Sequence, residues 1–167
     1  MKISILYHSV SGNTRHMAEV MAAGMNTVEG VEARTFSIDA VEEAFVKESS
    51  CVVAGCPTYI SGPSAAFYTY MEREMGKLNL ADKLGGAFST AQYAHGGGDL
   101  VIRTILDHMM TMGMLTYSVG GAKGRPVIHL GPVAIATAGN REMLAAYEET
   151  FRFYGRHMAE KAVELFG

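Results

Sequence analysis

The sequence predicts an α/β protein in which a doubly wound sheet of five parallel strands is covered by helices on both faces. Short apolar runs alternate with helical patterns along all 167 residues, and this alternation is typical of parallel strands joined by helical crossovers. Three loops rich in small polar residues directly follow predicted strands, where ligand sites of such sheets lie. The length favours a single domain spanning residues 1–167.

The secondary-structure elements follow from apolar patterning. Five strands are predicted from short apolar runs, at Ile3–Tyr7, Glu32–Phe36, Cys51–Gly55, Leu84–Ser89 and Val133–Ala138. Behind the first strand, Met17, Met21 and Met25 recur every four residues, which indicates the buried face of a helix. Further helices are predicted at Ser64–Met75 entered through Pro63, at Leu100–Met112 with Asp99 as N-cap, and at Arg141–Phe166, either continuous or broken near Gly155.

Composition argues against several classes of function. The net charge of −3 is too small to indicate a nucleic-acid or membrane-surface partner. No apolar run approaches the roughly 20 residues of a membrane span, and no signal-peptide pattern is visible, so a cytoplasmic location is expected. Cys51 and Cys56 are five positions apart in a strand and so lie on opposite faces. They are expected to be buried thiols, and no metal site is predicted.

The first loop predicts a phosphate site. Its residues are Ser9, Val10, Ser11, Gly12, Asn13 and Thr14. Backbone N–H groups at a helix N-terminus attract anions, and the three hydroxyls and the Asn13 amide can donate further hydrogen bonds. The loop contains neither the Gly-Lys-Ser/Thr of a nucleoside triphosphate site nor the GxGxxG of a dinucleotide site. A hydroxyl-rich loop without a lysine suits one phosphate monoester, such as that of FMN.

Three segments together carry a family resemblance. They are Ser9–Thr14, Gly55–Gly62 and Phe88–Gly98. The first resembles the phosphate loop of flavodoxin-like proteins. The whole chain resembles the NAD(P)H:quinone oxidoreductases related to the tryptophan-repressor-binding protein. The resemblance implies a three-layer flavodoxin-like fold, FMN as cofactor, NAD(P)H as co-substrate, and a quinone or another small molecule as electron acceptor.

The second and third loops are predicted to hold the isoalloxazine ring. The second loop contributes Pro57, Thr58, Tyr59, Ile60, Ser61 and Gly62, with Tyr59 as the candidate stacking ring. The third contributes Ser89, Thr90, Ala91, Gln92, Tyr93, Gly96, Gly97 and Gly98, whose glycines allow the backbone to approach the pyrimidine edge. Backbone amides there would tune the flavin potential. The alternative for these glycines is a flexible linker before a helix.

His95, in the third loop, is the candidate catalytic residue on the substrate side; the alternative is a solvated loop residue. The related quinone reductases have a histidine over the flavin on the helix that follows this loop. Matching Gly113 to the glycine of that motif puts Met112 at the histidine position. This departure puts quinone reduction by the family's usual arrangement in doubt.

The segment Ser118–Pro132 does not fit a minimal five-strand domain. It is rich in glycine and proline and carries Lys123, Arg125 and His129. Connections of this length are commonly functional, so we expect a loop on the substrate side or at a subunit contact, with a plain surface loop as the alternative. Together with an exposed flavin rim, it predicts a homodimer or homotetramer.

Three functions therefore compete. The leading prediction is an FMN oxidoreductase that takes a hydride from NAD(P)H and passes electrons to a quinone or another small acceptor. The first alternative is a flavodoxin-type electron carrier that docks protein partners and has no turnover of its own. The second alternative is a flavin-binding protein with a regulatory or structural role.

Overall fold

The computed structural model describes residues 1–167 and contains one central sheet. Its strands are β1 (Lys2–Tyr7), β2 (Glu32–Ser37), β3 (Cys51–Tyr59), β4 (Gly62–Pro63), β5 (Leu84–Ala91), β6 (Leu115–Thr116) and β7 (Val133–Ile135). Its helices are α1 (Asn13–Met25), α2 (Glu43–Glu48), α3 (Ala65–Arg73), α4 (Gly98–Thr111), α5 (Arg141–Ala145) and α6 (Glu148–Phe166), with 3₁₀ turns at Met75–Leu78 and Gly121–Lys123. None of these helices combines the length and the apolar character needed to cross a membrane.

The sheet confirms the predicted parallel architecture. Its order is β2-β1-β3-β5, and both β6 and β7 pair with the outer side of β5 in parallel. The chain moves from β1 outwards to β2 and then returns to place β3 on the other side of β1. This reversal opens a crevice at the carboxyl ends of β1 and β3, which is where ligands bind in open α/β sheets.

Two apolar cores lie on opposite faces of the sheet. One packs α1 and α6 against it, and the other packs α2, α3 and α4. Met17, Met21 and Met25 are fully buried in the first core, as their spacing predicts. Cys51 lies in the first core and Cys56 in the second, and both are buried free thiols. The predicted placement of the two cysteines is thus confirmed.

Several predicted helix boundaries are wrong. The helix expected from Ser64 begins at Ala65, because Pro63 pairs in the β3–β4 hairpin. The N-cap of α4 is Gly97, and the expected cap, Asp99, lies in the first turn. The last helix is interrupted after Ala145, whereas Gly155 lies inside α6. A Cβ on Gly155 would lie 2.3 Å from the carbonyl oxygen of Met21, so this glycine permits close helix packing and causes no break.

The fifth strand is split into two pieces. β6 pairs with the start of β5, Leu84 facing Leu115, and β7 pairs with its end, Ser89 facing Val133. Residues 117–132 leave the sheet between these pieces. Val119 and Ile128 of this segment are buried and hold it against the domain, whereas residues 121–125 between them are exposed. β6 escapes the sequence analysis because two residues are too few to form a pattern.

Tyr154 bridges the split in this edge strand. Its hydroxyl accepts a hydrogen bond from the Ala87 N–H at 3.2 Å and donates one to the Tyr117 carbonyl at 3.5 Å. The Tyr117 N–H still donates directly to the Gly85 carbonyl. The next backbone hydrogen bond, from the Ala87 N–H to the Tyr117 carbonyl, is replaced by two bonds through the Tyr154 hydroxyl. Tyr154 is fully buried, and its hydroxyl therefore replaces a backbone partner that water cannot supply.

Tyr154→Phe should lower the free energy of unfolding by about 1–3 kcal/mol, because it leaves the buried Ala87 N–H without an acceptor. Urea denaturation monitored by circular dichroism measures this change. Hydrogen exchange should show faster exchange of the Ala87 amide than of amides in β1. An unfolding free energy equal to that of the parent protein would show that this hydrogen bond contributes nothing to stability.

Candidate functional site

The three predicted loops meet at the carboxyl edge of the sheet. The cleft between them is lined by Val10, Ser11, Asn13, Pro57, Thr58, Tyr59, Thr90, Ala91, Gln92, Ala136 and Ala138. An adjoining cleft adds Ile60, Ser61, Tyr93 and Gly96. Ala136 and Ala138 belong to a fourth loop, after β7, that the sequence analysis missed. The available signal was its position, since it also follows the carboxyl end of a parallel strand.

The first loop forms a helix N-terminus. Gly12 is the N-cap of α1, with φ of +86°, a conformation that glycine adopts without strain. The His16 N–H bonds to the Gly12 carbonyl at 3.0 Å. The amides of the preceding first turn have no intrahelical acceptor. They are available to an anion, as the sequence predicts.

Two buried hydroxyls at this edge lack partners. Ser9 Oγ, in the first loop, and Thr58 Oγ1, in the second, are inaccessible to solvent and make no hydrogen bond. Buried polar atoms are nearly always hydrogen-bonded. One hydroxyl beside free helix amides and one in the wall of the cleft together fit the phosphate and ring portions of FMN.

Four other polar side chains of the predicted site bond within the protein. The Asn13 amide donates to the Thr137 carbonyl at 3.0 Å, and Asn13 Oδ1 accepts from the Gly139 N–H at 3.1 Å. The Thr14 and Thr90 hydroxyls pair at 2.7 Å, and the Ser89 hydroxyl donates to the Gly98 carbonyl at 3.1 Å. The Asn13 side chain thus ties the first loop to the fourth. Its amide has a second N–H, so its contact with a phosphate stays a prediction.

The second loop is a tight hairpin. Thr58 pairs with Pro63 and Tyr59 with Gly62, leaving Ile60 and Ser61 as a two-residue turn with φ of +49° and +60°. Positive φ is strained for a β-branched residue. The Tyr59 and Ile60 side chains are exposed, and Tyr59 lines both clefts, as the candidate stacking ring should.

The third loop rests on the second. Gly97 has φ of +93°, and a Cβ there would lie 2.7 Å from Ser61 Cα. Gly98, the first residue of α4, is buried, and a Cβ on it would lie 2.7 Å from Val133 Cγ1. The glycines thus allow close backbone packing, and the alternative of a flexible linker is wrong.

His95, His8 and Met112 lie in three different parts of the structure. His95 is exposed and makes no hydrogen bond. His8 Nδ1 bonds to the buried Ser64 hydroxyl at 2.7 Å, a structural contact. Met112 caps the far end of α4, where the Asp82 N–H bonds to the Gly113 carbonyl just before β5 begins. It lies a whole strand, about 26 Å for eight residues, from the three loops, so the expectation that it covers the flavin of its own chain is wrong.

No charged side chain lines the cleft. Tyr59 and Tyr93 are its only titratable lining residues, and no carboxylate or ammonium group lines it. Below the second loop, burial raises the pKa of Cys56 to about 12, so this thiol is neutral at pH 7. No group of three or more His, Cys, Asp and Glu side chains is arranged to hold a metal ion. The cleft therefore offers hydrogen-bonding and stacking surfaces.

Ser9→Ala should affect the ligand-free and the ligand-bound protein in opposite ways. Without flavin, removal of an unpartnered buried hydroxyl should leave the free energy of unfolding unchanged or raise it by about 1 kcal/mol. With FMN, loss of a hydrogen bond to a charged phosphate should weaken binding about tenfold or more. Urea denaturation of the ligand-free protein and a fluorescence titration with FMN measure the two effects. Unchanged FMN affinity would place the phosphate elsewhere.

Comparison with known proteins identifies relatives of this geometry. A family model described as Flavodoxin matches residues 5–101. A flavodoxin of Clostridium saccharobutylicum is 39% identical over 166 residues, covering 99% of this chain and 100% of the relative. An NAD(P)H dehydrogenase (quinone) of Aromatoleum aromaticum is 26% identical over 201 aligned positions, covering 99% and 97%.

Solved structures share the fold. A flavodoxin, WrbA-like protein from Agrobacterium tumefaciens superposes with a TM-score of 0.78 at 24% identity, covering 98% of each chain. A flavodoxin from the domain Archaea gives a TM-score of 0.75 at 24% identity, covering 97% of this chain and 99% of that one. The three-layer flavodoxin-like fold predicted from the sequence is confirmed.

Proposed function

Because this chain belongs to the flavodoxin family, we propose that it carries electrons between protein partners through an FMN held in the cleft, with no substrate turnover of its own. Bound FMN supplies reversible one- and two-electron redox chemistry. In this proposal, the amides of the first loop and the Ser9 hydroxyl hold the phosphate, and the second and third loops hold the ring. The leading prediction from the sequence thereby becomes the second candidate.

The observation that carries this proposal is the end-to-end match to a flavodoxin. The clostridial flavodoxin aligns over 166 positions and is covered completely. The quinone enzyme needs 201 aligned positions, at least 34 more than the 167 residues of this chain. The enzyme therefore carries insertions relative to this chain, whereas the clostridial flavodoxin matches this chain in length.

The surroundings of the cleft support a protein partner. Four apolar or aromatic side chains at its mouth are largely exposed: Val10, Tyr59, Ile60 and Tyr93. Exposed apolar side chains grouped around a ligand site are typical of protein interaction surfaces. A ring edge held among them would lie near the surface, where a docked partner could exchange electrons with it directly.

The second candidate is an NAD(P)H-dependent oxidoreductase that reduces a quinone or another small acceptor. Its support is the distant quinone dehydrogenase relative. In this candidate, His95 would be the proton donor, since it is the only histidine within the three loops; His8 lies just before the first of them. A dimer or tetramer that walls the pocket with residues 118–132, where Val127 and Leu130 are exposed, would also favour this candidate.

Redox measurements separate the two candidates. The purified protein, loaded with FMN, is titrated potentiometrically and then mixed with NADH or NADPH, with and without a quinone. A carrier should show two separate one-electron steps and no sustained NAD(P)H oxidation until a flavoprotein reductase is added. Sustained quinone-dependent turnover by the protein alone, reduced in a His95→Gln variant with full flavin content, would establish the oxidoreductase instead. Light scattering gives the oligomeric state of both.

A further inference from the structure

A guanidinium group lies against the phosphate loop. Arg141 is the first residue of α5, and its Nη2 is 3.3 Å from the position that a Cβ on Gly12 would occupy. Gly12 is the N-cap of α1, whose first-turn amides face the anion site. The loop has no lysine or arginine before Arg15, so this cation is supplied by a distant part of the chain.

Two sets of hydrogen bonds fix the backbone that carries Arg141. The buried Asn13 side chain bonds to the Thr137 carbonyl and to the Gly139 N–H. The Asn140 side chain then caps α5 by accepting from the Met143 N–H at 3.0 Å. The position of Arg141 beside the loop therefore follows from buried contacts of the fold, although its side chain is exposed.

Arg141 has no partner for its charge within the protein. Its guanidinium makes no ion pair and no hydrogen bond, whereas the neighbouring exposed Arg15 is paired with Glu19 at 2.8 Å. Nearby, Glu148 bonds to both His16 and Arg152, so this carboxylate already has partners. An anion at the start of α1 is thus the available counter-ion for Arg141.

We propose that Arg141 is the cation of the phosphate site and determines the preference for FMN over riboflavin. The inference rests on the proposed function, since it assigns a residue to the FMN that the function requires. Guanidinium groups bind phosphates by charge-assisted hydrogen bonds. A phosphomonoester dianion benefits from this charge, and riboflavin, which lacks the phosphate, does not. Arg141 is a specificity determinant, and the helix amides remain the principal ligands.

The test measures binding of two flavins by three proteins and one control variant. The ligand-free parent, Arg141→Gln and Arg141→Lys are titrated with FMN and with riboflavin, at low and high salt, by flavin fluorescence. The matched control is Arg73→Gln, which removes an exposed, unpaired arginine at the far end of α3. Arg141→Gln should weaken FMN about tenfold, leave riboflavin within twofold, and reduce the salt dependence of FMN binding. Arg141→Lys should recover part of the loss.

Each outcome decides the proposal. Unchanged FMN affinity in Arg141→Gln, or equal loss of both flavins, would overturn it, since the arginine would then be idle or purely structural. An equal effect in Arg73→Gln would also overturn it, by showing a general charge effect. A parent protein that binds neither flavin would contradict the proposed function itself. Thermal unfolding of each variant checks that the fold is retained.

Discussion

Replacing Gly155 with alanine should lower the free energy of unfolding by about 3 kcal/mol, the upper end for a steric insertion into a packed interior. The added Cβ would lie 2.3 Å from the Met21 carbonyl oxygen in α1. A backbone atom cannot rotate away as a side chain can, so α1 and α6 must separate. The better helix propensity of alanine, worth about 1 kcal/mol, is too small to compensate. Urea denaturation of the ligand-free protein measures the change.

The matched control for this prediction is Gly76→Ala. Gly76 lies in the Met75–Leu78 turn, and no atom lies within 4 Å of the Cβ position. Its substitution should change stability by less than about 1 kcal/mol, with stabilisation expected where the backbone tolerates alanine. If Gly155→Ala behaved like Gly76→Ala, the two helices would not be in the tight backbone contact described above.

A second large effect is expected in alkali. Burial raises the pKa of Cys56 to about 12 and that of Cys51 further, whereas the thiols of the unfolded chain have a pKa of about 8.5. Both thiols therefore stay protonated in the folded state while the unfolded chain ionises. Their contribution to stability is complete below about pH 8.5 and is lost as pH rises, at about 1.4 kcal/mol per unit for each thiol.

By pH 10.5 the two thiols together should lower the free energy of unfolding by about 5 kcal/mol. This loss is comparable with the whole stability of many domains. Buried Tyr70, whose pKa burial raises to about 12, adds to the loss above pH 10. Urea denaturation with reductant at pH 8, 9, 10 and 10.5 measures the decline. In a Cys51→Ala, Cys56→Ala variant the decline up to pH 10 should largely disappear. Identical slopes in the two proteins would refute the assignment to the thiols.

Local patterns account for the parts of the fold that the sequence analysis predicts well. The run at Ile3–Tyr7 gives β1 to within one residue, because a buried parallel strand needs a short apolar stretch and little else. The phosphate loop is equally local, since its turn, its hydroxyls and its helix N-terminus are neighbours in the chain. By contrast, the Ile60–Ser61 hairpin turn uses residues that rarely adopt positive φ, so no turn signal marks it.

Long-range partners account for what the sequence analysis misses. The sequence suggests Asn13 as a phosphate ligand, and only the structure shows that its side chain also joins the first loop to Thr137 and Gly139. Arg141 is far from the first loop in sequence, and nothing in its own neighbourhood indicates a phosphate. The placement of Met112 depends on the direction of α4. This helix runs back to the amino edge of the sheet, so its last residues lie far from the three loops.

The Asn13 contact also bears on when the protein can acquire its cofactor during synthesis. It joins residues that are 124 positions apart, so the first loop reaches its final support only after Thr137, about four-fifths of the way along the chain, has been made. Domains can begin to fold on the ribosome from the N-terminus, and β1, β2 and β3 can pair at that stage. A nascent chain released before Thr137 would contain the whole phosphate loop and yet bind phosphate poorly. Loading with flavin is therefore expected to follow completion of the chain.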